Sequence, residues 1–108
     1  MAQNFRRTTS NNVGTSVVSA YTADSYDTIV GIALTNVAGS SINVDCYIND
    51  GSNDIYLVKN APIPVGSQLQ LIDGGAKVVV QNGDVIKVKS DTASSCDVWV
   101  SAVDSIST

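Results

Sequence analysis

Ile42-Asn43-Val44-Asp45-Cys46-Tyr47-Ile48-Asn49-Asp50-Gly51 decides the fold of this chain. Side chains along an extended strand point alternately to its two faces, so Ile42, Val44, Cys46 and Ile48 share one face and Asn43, Asp45, Tyr47 and Asn49 the other. Sliding the strand by one residue would bury the Asp45 carboxylate, which makes the register well specified. The run ends at Asn49-Asp50-Gly51, residue types that accept positive φ at low steric cost and so close an antiparallel hairpin.

The same reading extends in both directions. Cys96, Val98, Val100 and Ala102 face inward, with Asp97, Trp99, Ser101 and Val103 outward; Ile86 and Val88 face inward between Lys87 and Lys89. Asp27 to Val37 carries Ile29, Val30, Ile32, Ala33, Leu34 and Val37, too apolar for a half-wet strand, which suggests a central strand covered on both faces or a bulge near Gly31; its expected place is mid-sheet. Thr15 to Tyr21, Ile55 to Asn60, Ser67 to Ile72 and Lys77 to Gln81 bring the set to about eight short strands. Asn82-Gly83-Asp84 and Asp73-Gly74-Gly75 read as further hairpin turns, and Ala61-Pro62-Ile63-Pro64-Val65-Gly66 as a crossover between sheets, because neither proline can donate to a ladder. The pattern predicts an all-β, antiparallel β-sandwich of jelly-roll type. Residues 13–108 form its one domain, and Met1 to Asn12 a flexible amino-terminal arm.

Composition narrows the chemistry. The 108 residues suit one core, and Val, Ile and Thr are plentiful while Glu is absent. Histidine is absent too, which removes the commonest general base and the Ser-His and Cys-His nucleophile pairs. Two distant cysteines do not make a zinc site, no glycine-rich phosphate loop is present, and no pair of the ten aspartates is singled out by spacing for glycoside cleavage. The expectation is a non-enzymatic chain without cofactor. Asn49-Asp50-Gly51-Ser52-Asn53-Asp54 is the best candidate for calcium, but it lacks a bidentate Glu, and the same residues form hairpin turns for conformational reasons alone. Cys46 and Cys96 fall on inward positions and read as buried free thiols.

A net charge of −4 makes nucleic acid an unfavourable direct partner. No run approaches the ~18 apolar residues that span a bilayer, and no hydrophobic signal core follows the first residues, so the chain is expected to be soluble and made in the cytoplasm. Candidate contact residues are the aromatics on polar faces, Trp99 and Tyr47, and the arm residues Phe5, Arg6 and Arg7. Two readings stay open for Trp99: an interface with a partner, or a ring covered within its own subunit. The arm likewise reads either as a solvated tail or as a segment that orders on a neighbour.

Val30 to Val103 carries a recognisable sequence of phrases: Gly31-Ile32-Ala33-Leu34-Thr35-Asn36, Val44-Asp45-Cys46-Tyr47-Ile48, Tyr56-Leu57-Val58-Lys59-Asn60-Ala61-Pro62-Ile63-Pro64, Gly83-Asp84 and Val88-Lys89-Ser90. Together they resemble small virion structural proteins of tailed bacteriophages, including phages of marine and cyanobacterial hosts. The resemblance implies a β-sandwich on a virus particle: a cement or decoration protein that clamps the major capsid protein shell, as a homo-oligomer with a trimer favoured. A tail, baseplate or fibre subunit is the alternative within that class. A carbohydrate-binding module, stacking sugars on Trp99 and Tyr47, is the alternative from another class.

Overall fold

The computed structural model describes residues 4–72 and 78–107, and for residues 4 and 104–107 the backbone alone. Nine strands follow in order: β1 (Asn4–Val13), β2 (Val18–Thr22), β3 (Tyr26–Asn36), β4 (Ile42–Asn49), β5 (Asp54–Ile63), β6 (Gln68–Ile72), β7 (Val78–Val80), β8 (Val85–Ser90) and β9 (Cys96–Ser107). The alternation in β4 is realised as read: Ile42, Val44 and Cys46 are fully buried, Asn43 is exposed and Asp45 half-buried.

The strands form two sheets in which every pairing is antiparallel. The first runs β1-β9-β3-β6, with β7 also on β3; the second runs β2-β8-β4-β5. Successive strands therefore step repeatedly from one sheet to the other, which is the jelly-roll order of two four-strand layers, here with β7 added. Ile29, Ile32, Leu34, Val98 and Val100 of the first sheet pack onto Ile42, Val44, Cys46, Ile86 and Val88 of the second. The block measures 46 × 28 × 21 Å.

β3 lies between β9 on one side and β6 and β7 on the other, which agrees with the mid-sheet place expected of it; its register with β9 also shifts between Ile29 and Gly31, so the two features offered as alternatives occur together. Three other expectations are corrected. Residues 4–12, read as an arm, belong to β1, whose register with β9 runs from Asn4↔Asp104 to Ser10↔Val98. Alternation was hard to see there because the inward side chains are Arg6, Thr8 and Ser10, polar groups that a sheet border tolerates. Thr8 Oγ1 donates to the Ala20 carbonyl at 2.6 Å, and Arg6 reaches Asp24 at 3.4 Å, tying β1 to the edge of the second sheet.

The second correction concerns Pro62. It lies within β5, opposite Asn43, because β5 is an edge strand and needs hydrogen-bond donors on one side only. The crossover itself is shorter than read: a turn closed by Ser67 N–H donating to Pro64 O at 3.1 Å, with Gly66 at φ +71°, carries the chain into β6 of the other sheet. The third is Asn82-Gly83-Asp84, which forms a turn but no hairpin, because β7 belongs to the first sheet and β8 to the second. Asp73-Gly74-Gly75 lies outside the described residues.

Buried polar groups pin the loops. Asn36 donates through Nδ2 to Ser40 O at 2.8 Å and Ile63 O at 2.9 Å, and accepts at Oδ1 from Ala38 N–H at 2.8 Å. Every hydrogen-bonding site of its amide oxygen and nitrogen that faces the loop is thus used, which is the condition for burying an amide cheaply. Asp27, wholly buried, accepts from Tyr21 Oη and from Ser25 Oγ.

Candidate functional site

The outer face of the first sheet carries exposed Phe5, Val79 and Trp99, and strand register places its side chains in rows. One row crosses four strands as Phe5, Val103, Thr28 and Val79. The next contains Arg7, Ser101 and Gly31, the third Thr9, Trp99, Ala33 and Gln70, and the fourth Asp97, Thr35 and Gln68. Phe5 is 86% exposed, Val79 62% and Trp99 52%, so the two ends of the first row and the indole stand in solvent, while Val103 and Thr28 between those ends are half-buried.

Trp99 owes its exposure to its neighbours. Thr9 and Ala33, directly opposite on the flanking strands, are too short to cover an indole. The Arg7 guanidinium, from the row on one side, lies 5.5 Å from the centre of the indole ring. On the other side the ring walls an open groove of about 580 Å³, floored by Ala33 and bordered by Thr35, Gln68, Gln70 and Asp97. The amides there are ordered: Gln70 Nε2 donates to Gln68 Oε1 at 2.6 Å, and Gln68 Nε2 donates to Thr35 Oγ1 at 3.2 Å. Asp97 Oδ1 accepts the Asn12 N–H at 2.9 Å, which holds the carboxylate at the groove's end.

Of the residues singled out in the sequence, Phe5, Arg7 and Trp99 therefore meet on one face. Arg6 points to the opposite side of β1, where its guanidinium lies 5.5 Å from the Tyr21 ring centre as well as beside Asp24. Tyr47 is on the outer face of the other sheet and is buried, in contrast to its expected exposure. Tyr56 on β5 and Lys87 on β8 are its direct neighbours, and the Tyr47 and Tyr56 rings sit 4.8 Å apart at 40°. Lys59 Nζ covers Tyr56 at 4.9 Å. Burial, helped by the nearby Asp54 carboxylate, raises the Tyr47 phenol above its ordinary pKa. Trp99 and Tyr47 thus cannot form one sugar-stacking platform.

Residues 49–54 are organised around their own backbone. Asp50 Oδ1 accepts from Asn53 N–H at 2.8 Å and Ser52 N–H at 3.0 Å, which lowers its pKa, while Asn49 accepts from Gly51 N–H and donates to Asp54. Cys46 and Cys96 are both free and buried. Among the described residues no helix is long and apolar enough to cross a membrane. Gln68, Gln70 and Thr35, and the joining of Phe5 and Val103 to Thr28 and Val79 in one row, are not contained in the sequence pattern. Alternation within Ser67 to Ile72 marks Gln68 and Gln70 as outward, but only the register of β6 on β3 brings them to Trp99.

No family model matches the chain, and no curated protein matches it in sequence. Its fold does have a counterpart: a chain in the acidic stable capsid structure of Helicobacter pylori bacteriophage KHP30 superposes with a TM-score of 0.61 at 10% identity, covering 95% of this chain and 87% of that one. At that identity the likeness is one of fold, a jelly-roll β-sandwich preserved from end to end.

Proposed function

We propose that this chain is a non-enzymatic structural subunit of a tailed-phage particle, a cement or decoration protein that binds the major capsid protein and stabilises the shell. The observation that carries the reading is the end-to-end likeness to a chain of a phage capsid structure. The match spans nearly all of both chains, so the two share one fold along most of their length.

The first row of the outer face, Phe5, Val103, Thr28 and Val79, is the assigned contact. Phe5 and Val79, exposed at the two ends of a row that half-buried Val103 and Thr28 connect, lose water on docking, and a contact of standard size buries ~1,600 Å² in all. The border strand β1 contributes Phe5 there, so the amino-terminal segment takes part as a strand of the sandwich.

Particles lacking the protein are expected to assemble with an unchanged lattice and to release their DNA at a lower temperature than complete particles. Equal thermal stability with and without it would overturn the reading. Phe5→Ser combined with Val79→Ser should lower occupancy on the particle at least tenfold while far-ultraviolet circular dichroism stays unchanged, since neither side chain belongs to the core.

A further inference from the structure

We propose that the groove beside Trp99 is a binding site for neutral saccharides, a second activity at the end of the outer face away from the apolar row. Its shape and lining both point there. The volume, about 580 Å³, falls in the range of small-ligand sites, ~300–1,000 Å³. Trp99 supplies an aromatic wall, Ala33 and Val98 add apolar surface, and the rest is amide, hydroxyl and a single carboxylate.

The indole offers its electron-rich face to the weakly positive C–H bonds of a pyranose ring, with apolar contact added. Arg7, stacked on the side away from the groove, limits the rotation of the ring before any ligand arrives. Gln70, Gln68 and Thr35 form a connected chain of donors and acceptors at 2.6 and 3.2 Å, whose unused valences meet ligand hydroxyls. Asp97, fixed by the Asn12 N–H, leaves its second oxygen to accept from a hydroxyl pair. Fixed polar groups around a rigid ring lose little entropy on binding.

The lining also selects against other ligands. No cation borders the groove among the described residues, so phosphate, sulphate and carboxylated sugars find no counter-charge. A neutral, polyhydroxylated ligand needs no counter-charge and matches a lining that is apolar at Trp99, Ala33 and Val98 and otherwise amide, hydroxyl and carboxylate.

Trp99 is the only tryptophan in the chain, so its fluorescence reports the groove directly. The full-length protein would be titrated with maltohexaose, cellohexaose, xylohexaose and chitohexaose into the millimolar range. A saturable change in Trp99 emission with at least one of them is expected, insensitive to salt. By calorimetry with that sugar, Trp99→Ala and Gln68→Ala should each weaken binding at least tenfold, whereas Tyr56→Ala on the opposite sheet should leave it unchanged. No saturable change with any of the four overturns the proposal, as does binding that survives Trp99→Ala. The isolated chain suffices for this test, so its failure leaves shell attachment through Phe5 and Val79 standing, and loss of shell attachment leaves the groove standing.

Discussion

Trp99 and Tyr47 occupy equivalent outward places in their strands, and the residues opposite them decide their different fates. Thr9 and Ala33 leave the indole open, while Tyr56 and Lys87 close over the phenol. Tyr56→Ala should therefore expose Tyr47 and bring its raised pKa down toward 10.0, its ordinary value, in an ultraviolet titration of the phenols. The two thiols obey the same rule of burial more strongly. Burial, and then the charge of Cys96, pushes Cys46 up from 9.0 to about 12; burial and the Asp97 carboxylate push Cys96 up to about 11. Unfolded cysteines ionise near 9 while the folded ones keep their protons, so the unfolded state binds fewer protons above that pH. The resulting stability is complete below pH 9.0 and is lost as pH rises through about 11 and about 12. Chemical denaturation should show stability falling across that window, and Cys46→Ala with Cys96→Ala should flatten the fall.

β1 shows how an element can be held by polar groups that a sequence pattern does not reveal. Its backbone pairs with β9, its Thr8 hydroxyl bonds Ala20 O, and its last residue, Val13, is buried in the core and accepts from Ser95 N–H at 3.0 Å. Deleting residues 1–12 removes the ladder along one side of β9 and uncovers part of the core beneath. The expected loss is several kcal/mol, a large share of the ~5–15 kcal/mol that a domain of this kind possesses. Thermal unfolding should show a drop of many degrees; an unchanged midpoint would show that the segment contributes no more than a tail. Thr8→Val, which deletes one hydrogen bond, should cost about 1 kcal/mol.

Across the whole molecule, the first and last strands are neighbours, and each sheet interleaves strands from distant parts of the chain. Such non-local pairing requires loop closure before contacts reward it, so refolding belongs in the millisecond-to-second range typical of sandwiches. Stopped-flow fluorescence of Trp99, which sits on β9 between β1 and β3, reads that assembly; a dominant microsecond phase would contradict it. The same interleaving makes the outer face a composite surface. Its apolar row draws on β1, β9, β3 and β7, and its groove on β1, β9, β3 and β6.

The amino-acid sequence by itself determined the all-β class, the inward and outward faces of β4, β8 and β9 and the inward placing of both thiols. Each follows from period-two alternation and from turn residues with defined backbone preferences, which are local properties of the chain. Only the tertiary structure decided which strands are neighbours, and with that the membership of β1, the edge position that admits Pro62 and the separation of β7 from β8. Neighbour choice also decided function at the surface: alternation states that a side chain points outward, whereas exposure depends on the length of the side chains opposite it. Tyr47 was covered and Trp99 was left beside a groove for that reason, and no pattern within either strand contains it.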